Sequence, residues 1–452
     1  MHTLVLNGSP KGKHSVTLQT VRYLQLLFPE HSFEILHVGQ SIKSLEKDMS
    51  PAVRAIEKAD LLLFCYPVYT FLAPCQLHRF IELLKASDVK LEGKYATQLT
   101  TSKHFYDVTA HRYIRDNCED MGLHYLNGLS ADMDDLTKPK GQKEAEAFFR
   151  YVCWAMEQGI REPRLTLPYC FTAKPVTVPT GREDKTGDVV IVADLQEGDA
   201  PLEQMIARFR AVFPKKTRVV NIRKYPFRGG CLGCFNCAVT GKCIYTDGFD
   251  DYLRNQIQTA QAIVYAFTVS DHSMGARFKM FDDRQFCNGH RTVTIGMPIG
   301  YLINGGYLQE QNLQTVIEAR AQVGSNFLAG VATNEEDPDV AIDRLSATLN
   351  YALETKYLPP QNFYGVGGMK IFRDLIWMMQ GMMRADHKFY KAHGQYDFPQ
   401  KQRPKMLAMY LVGAMLSSKK LKAKMGSAMT DGMLMPYQRV LDKVKREQDK
   451  KQ

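Results

Sequence analysis

Apolar residues are grouped in two ways along this chain. Short continuous runs, "HTLVL", "SFEILHV", "DLLLFCYPV" and "KYATQLTT", have the length of strands. Between them lie segments whose apolar positions recur at helical spacing, such as "PCQLHRFIELL" and "KEAEAFFRYVCWAME". A strand without polar alternation is buried on both faces. Its regular exchange with helices predicts a parallel sheet covered on both sides.

The same order of elements occurs twice. A second series opens with "DVVIVA" and "PLEQMIARFRAVF" and continues through "TRVVNIR", "AIVYAFTV" and the helical "ARFKMFDDRQF". It then reads "RTVTIGMPI" as a strand, followed by "NLQTVIEARAQVG", "FLAGVAT" and "DVAIDRLSATLNYALE". Five βα units per series predict α/β architecture: two tandem flavodoxin-like doubly wound parallel sheets plus a C-terminal helical extension. Prolines and polar turn residues set the boundaries at 1–162 for the first domain, 163–187 for a linker and 188–358 for the second domain. The extension, 359–452, is basic and Met-rich and matches neither series.

Composition changes this picture only in the tail. The apolar share of 45% and charged share of 23% are ordinary for a soluble globular chain. The net charge of +10 is uneven: Gln361–Gln452 holds 18 Lys and Arg against 7 Asp and Glu. An apolar run, Met406–Leu416, is too short to span a bilayer and is followed by Lys419, Lys420, Lys422 and Lys424. Such a segment packs on the domains, rests on an anionic membrane surface, or docks an acidic carrier such as ferredoxin. No nucleic-acid-binding motif accompanies the charge. "TLVL" already reads as a first strand, with no basic and apolar leader before it, so a cytoplasmic location is expected. Ten cysteines are too few for a disulfide scaffold in 452 residues.

Two stretches carry chemistry. "NGSPKGKHSVT", Asn7 to Thr17, lies between the first strand and the first helix. A helix N-terminus favours an anion, so this is where a flavin mononucleotide phosphate would sit. Ser9, Ser15 and Thr17 offer hydroxyls there, and Lys11 and Lys13 add charge. The second stretch, "CLGCFNCAVTGKC", places Cys231, Cys234, Cys237 and Cys243 at spacing C-x2-C-x2-C-x5-C. Consecutive x2 steps suit four thiolates around a [4Fe-4S] cluster. A four-thiolate zinc site, usually built from two separate C-x2-C knuckles, is the rival. The second series has no phosphate loop of its own: "DLQEGDAPLEQ" offers Asp194, Glu197 and Asp199 where the first offers hydroxyls. One FMN per chain is therefore expected.

The first series resembles the NAD(P)H-dependent FMN reductases and the iron-sulfur flavoproteins, whose loop reads close to G-S-P-[RK]-x-x-S-x-T. The resemblance implies FMN contacts from Ser9, Pro10, Lys11, Lys13, Ser15, Val16 and Thr17. It also implies them from the "P-V-Y" segment, Pro67, Val68 and Tyr69, with Tyr69, Thr70 and Phe71 against the ring system, and from Thr101 and Ser102. In the second series, "TGKCIYTDGFDDYL" and "ARFKMFDDR" resemble the surroundings of the cysteine motif in iron-sulfur flavoproteins.

The reading that follows is a redox enzyme with FMN in the first domain and a [4Fe-4S] cluster in the second. It moves electrons between NAD(P)H or ferredoxin and an acceptor. Alternatives are a non-catalytic carrier or redox sensor docked to a partner or membrane, and an FMN reductase with structural zinc. Scattered histidines such as His14 and His78 are read as surface residues. Related flavoproteins work as oligomers, so a homo-oligomer or an internal pseudo-dimer is expected, with Tyr69 facing the cysteine loop.

Overall fold

Apolar and β-branched residues fill most strand positions of both series. In the computed structural model, which describes residues 1–165, 170–181, 185–417 and 428–450, they build two parallel sheets. The first contains β1 (His2–Asn7), β2 (Ser32–Leu36), β3 (Leu61–Pro67), β4 (Tyr95–Ser102), β5 (His124–Tyr125) and β6 (Leu129–Asp132). Its order is β2-β1-β3-β4, and β5 and β6 both pair with β4. The expected fifth strand is thus split near Gly128, whose backbone approaches Gln98 so closely that a Cβ would overlap the Gln98 carbonyl oxygen. Helices α1 (Val16–Leu27), α2 (Ser50–Lys58), α3 (Cys75–Lys85), α4 (Asp107–Asp120) and α5 (Pro139–Glu157) cover the faces.

The second sheet contains β7 (Val189–Ala193), β8 (Thr217–Asn221), β9 (Ala262–Thr268), β10 (Pro298–Asn304) and β11 (Phe327–Thr333). Its order, β8-β7-β9-β10-β11, repeats that of the first and is the flavodoxin order. Helices α6 (Ala200–Val212), α7 (Gly275–Arg284), α8 (Gln311–Val323) and α9 (Pro338–Thr355) belong to it. One expected strand is displaced. "RTVTIGMPI" alternates convincingly, but β10 begins only at Pro298 and is buried throughout, while Val293 and Ile295 are exposed. The continuous run "PIGYLIN" outcompetes the alternating one because it satisfies both faces of a central strand.

The two domains meet through equivalent helices: α3 packs on α7, and α4 on α8. This is the geometry of a pseudo-dimer within one chain. Polar pairs fix the register. Glu82 of α3 accepts from the Ala276 amide at 2.7 Å, and Asn312 of α8 donates to the Thr109 carbonyl at 3.0 Å. Between the loops, His272 bridges Asp120 at 2.8 Å and Glu310 at 3.0 Å. A single hydrophobic cluster runs from Leu4 and Phe64 through Phe80 and Tyr113 to Phe278 and Tyr301, so the interface is core rather than surface.

The chain forms two compact units, Met1–Tyr390 and Lys391–Gln452. The first includes α10 (Phe363–Met378), and Ile376, Met383 and Tyr390 are buried in it. Helix α11 (Arg384–Ala392) runs to its end. The second unit holds α12 (Arg403–Ser417) and α13 (Ala428–Asp449). Lys419, Lys420, Lys422 and Lys424 lie outside the described residues. Among the described residues no helix is long and apolar enough to cross a membrane.

Candidate functional site

The loop after β1 is folded by Asn7. Its side chain donates to the Gly12 carbonyl at 2.9 Å and accepts from the Ser9 amide at 3.2 Å. This brings Ser9, Lys11, Ser15, Val16 and Thr17 to one wall of a cavity. Ser15 stands at the N-cap of α1 without bonding its own helix. Thr17 and Thr101 share a hydroxyl–hydroxyl bond of 2.7 Å, which ties the helix start to the end of β4. Thr101 and Ser102 also line the cavity. Pro10 and Lys13 do not, and Lys13 is exposed.

Pro67, Val68, Tyr69 and Thr70 form the adjacent wall. Phe71 departs from expectation. It is buried away from the cavity, with its ring 5.1 Å from Phe105 and 4.6 Å from Tyr106. The turn explains this: Thr70 and Phe71 both have positive φ, and Tyr69 and Leu72 exchange two backbone hydrogen bonds across them. So tight a reversal aims Tyr69 outward and Phe71 inward. Lys103, which ends the "TTSK" stretch at the close of β4, lines the same space and is paired with Asp132 at 2.8 Å.

The opposite wall is the cysteine loop. Cys231, Cys234, Cys237 and Cys243 all line this cavity, which has a volume of about 220 Å³ and is partly open to solvent. The loop is locked to both domains. Gln76 of the first domain donates to the Cys231 carbonyl at 3.3 Å, and the Cys243 amide donates to Asp250 at 2.8 Å. The Gly233 amide points at the Cys231 sulfur, 3.4 Å away. Gly233 has φ +60°, and a Cβ there would overlap the Tyr69 hydroxyl oxygen. No protein layer separates the two walls at this point.

Guanidinium groups brace the cysteine loop. Arg291 donates to the Cys237 carbonyl at 3.3 Å, and Arg254 to the Gly241 carbonyl at 2.7 Å. Arg284 lies 1% exposed, with its guanidinium 4.3 Å from the centre of the Tyr245 ring and bonded through both terminal nitrogens to Asp247 at 2.8 Å. Burial pushes the Cys231 thiol well above its usual range, and that of Cys237 up to about 11, with Asp386 and neighbouring sulfurs adding to it. Thiols so placed keep their protons until a metal displaces them. Among the described residues no three His, Cys, Asp or Glu side chains converge as tightly as one metal ion requires.

Helix α7 of the second domain braces the Tyr69 wall of the first, a role that the sequence did not disclose. Lys279 is fully buried and donates to the Tyr69 carbonyl at 2.9 Å and the Thr70 hydroxyl at 2.8 Å. It also contacts Asp283 directly. Asp283 in turn accepts from the Cys75 amide at 2.8 Å and the Thr70 hydroxyl at 2.6 Å. The extension closes the cavity: Phe372 and Leu375 of α10 line it beside Phe286 and His290. His290 is held through Nδ1 by the buried Asp386 at 2.9 Å.

The corresponding niche of the second domain is filled from within. Asp199 caps α6, accepting from the Leu202 amide at 3.3 Å, and also accepts from Thr268 at 2.6 Å and Asn304 at 3.2 Å. A carboxylate thus occupies the helix N-terminus that a phosphate would need. Asp194 is paired with Arg223 at 2.6 Å. The loop after β9 keeps the shape of its counterpart, with positive φ at Asp271 and His272, but puts Ser270 where the first domain has Tyr69. His78 is a further correction. It is buried and stacked on Tyr113 at 3.9 Å, and burial holds its pKa well below the usual value.

Residues 1–131 match the family described as NADPH-dependent FMN reductase. Over this span the first domain is similar to that family. It is a flavin-dependent oxidoreductase domain. A curated relative, an iron-sulfur flavoprotein from Archaeoglobus fulgidus, is 24% identical over 175 residues, covering 36% of this chain and 78% of the relative. Among solved structures, a flavoenzyme NAD(P)H:(acceptor) oxidoreductase from Paracoccus denitrificans is 20% identical (34% of this chain, 97% of that chain, TM-score 0.28). An FMN-dependent NADH-azoreductase from Bacillus anthracis, solved with FMN, is 15% identical (33% and 98%, TM-score 0.28).

Proposed function

We propose that this FMN-reductase-type oxidoreductase is an iron-sulfur flavoprotein, with FMN on the wall of the first domain and a [4Fe-4S] cluster on Cys231, Cys234, Cys237 and Cys243. One observation carries the reading: the phosphate loop, Tyr69 and all four cysteines line the same cavity. The donor set fits a cluster better than zinc. Three cysteines in consecutive x2 steps with a fourth after five residues suit a cubane, whereas a zinc site usually uses two separate C-x2-C knuckles. When bound, FMN exchanges electrons singly or in pairs and a cluster exchanges them singly, so the two link hydride donors to one-electron carriers.

The chain's own part is positional. Ser9, Ser15 and Thr17 offer hydroxyls and Lys11 a charge to the phosphate end. Lys279 and Asp283 hold the Tyr69 turn, and Arg254, Arg284 and Arg291 offset the charge of the thiolates. Phe372 and Leu375 keep water from the rim. The electron source is NAD(P)H or ferredoxin.

Anaerobic purification followed by flavin, iron and sulfide counts tests the reading. One FMN and four irons with a broad visible absorbance that NAD(P)H or reduced ferredoxin bleaches is the expected result. Zinc in place of iron would refute the electron-transfer part while leaving the FMN site intact.

A further inference from the structure

We propose that the C-terminal unit, Lys391–Gln452, docks on an anionic lipid bilayer. Helix α13 lies in the headgroup region, and α12 is immersed beside it in the same leaflet. This goes beyond the redox reading and does not rest on it.

Helix α13 is two-faced. Leu434, Tyr437, Val440, Leu441 and Val444 recur at steps of three and four, form one stripe, and are exposed, from 45% for Val444 to 69% for Tyr437. Arg439, Lys443, Arg446 and Lys450 also follow steps of three and four, and fall on the opposite side. An apolar stripe backed by a basic face is the pattern of an interfacial helix. Acidic residues dilute it, since Glu447 lies 3.9 Å from Lys443 and Asp442 accepts from Gln438. The unit as a whole remains cationic, with 14 Lys and Arg against 5 Asp and Glu.

Helix α12 decides between lipid and protein as the occupant. Met406, Leu407, Met409, Tyr410, Leu411 and Met415 are all exposed. At 100° per residue Leu407, Tyr410 and Leu411 share one side, and the three methionines widen the apolar band to about two-thirds of the circumference, more than a single stripe. A protein groove covers one stripe of a helix and leaves the others wet. Acyl chains surround it. The run Met406–Leu416 is about 16 Å long at about 1.5 Å per residue, roughly half the ~30 Å hydrocarbon core, so it enters one leaflet without crossing. Arg403 and Lys405 at its start are placed to meet anionic headgroups.

The test is co-sedimentation of the full-length protein with vesicles of phosphatidylcholine alone or with added phosphatidylglycerol. The mixed vesicles should bind it about tenfold more strongly, with binding weakened by salt. Leu407→Glu with Leu441→Glu should abolish binding while flavin content is unchanged. Leu441→Trp, which keeps an apolar side chain, should bind normally, and its emission, measured against that of the parent protein, should shift to the blue on mixing with vesicles. Equal recovery with both vesicle types would overturn the proposal. So would binding that ignores the Glu substitutions, or an unshifted emission of L441W with a concentration-dependent dimer. The last outcome would make a second copy the cover of these helices.

Discussion

The hydroxyl of Tyr69 rests against Gly233, leaving room for a hydrogen but not for a methyl group, since a Cβ there would overlap the oxygen. One residue belongs to the Tyr69 wall of the first domain. The other lies between Cys231 and Cys234 of the second. Gly233→Ala should therefore push the cysteine loop off Tyr69 and strain the backbone by roughly 1–2 kcal/mol at φ +60°. We expect iron content to fall in G233A and to recover partly when Tyr69→Phe is added. Full iron in G233A would show that the contact is dispensable.

Flavin and cluster content should separate by mutation. Ser15→Ala with Thr17→Ala removes hydroxyls from the phosphate end and should release FMN while iron is retained. Cys231→Ala should do the reverse. Because Asp199 fills the equivalent niche of the second domain, flavin should not exceed one per chain. Two flavins per chain would contradict this account of the niche.

Lys279 and Asp283 form a fully buried pair at the base of the Tyr69 turn. Removing one partner of such a pair costs about 3–5 kcal/mol, because the other charge is left without compensation. Lys279→Met should lower the denaturation midpoint accordingly. Lys279→Met combined with Asp283→Leu should be the milder change, and urea titration of both variants decides it.

His272 gives the domain interface a pH dependence. Burial opposes its charge, but hydrogen bonds to Asp120 and Glu310 win and raise its pKa to about 9. The folded value exceeds the unfolded value of about 6.5. Its contribution is therefore complete below pH ~6.5 and disappears as pH rises to about 9. Thermal stability should fall across that window, and His272→Gln should flatten the slope. An unchanged slope in H272Q would assign it to another group.

Truncation after Tyr390 removes the separate C-terminal unit and should leave flavin content and thermal stability nearly intact, since Asp386 and Phe372 stay in place. Flavin loss in the truncated protein would place part of the FMN site in the tail.

Patterns within a few residues of each other were legible in the amino-acid order. Continuous apolar runs alternating with helical periods marked both sheets, the strand-to-helix position of "NGSPKGKHSVT" marked the phosphate loop, and the x2 spacing marked the cysteines. These are local properties: side-chain period, turn chemistry and ligand reach operate over short stretches of chain. The shift of β10 to Pro298–Asn304 and the inward turn of Phe71 depended on which neighbours buried them, and local alternation could not decide that. The tertiary structure alone brought Lys279 under Tyr69 across 210 residues, and Asp386 to His290 across 96. It also set the cysteine loop opposite the phosphate loop. Such pairings follow from α3 packing on α7 and α4 on α8, and packing depends on the joint shape of two surfaces, which no single stretch of sequence encodes.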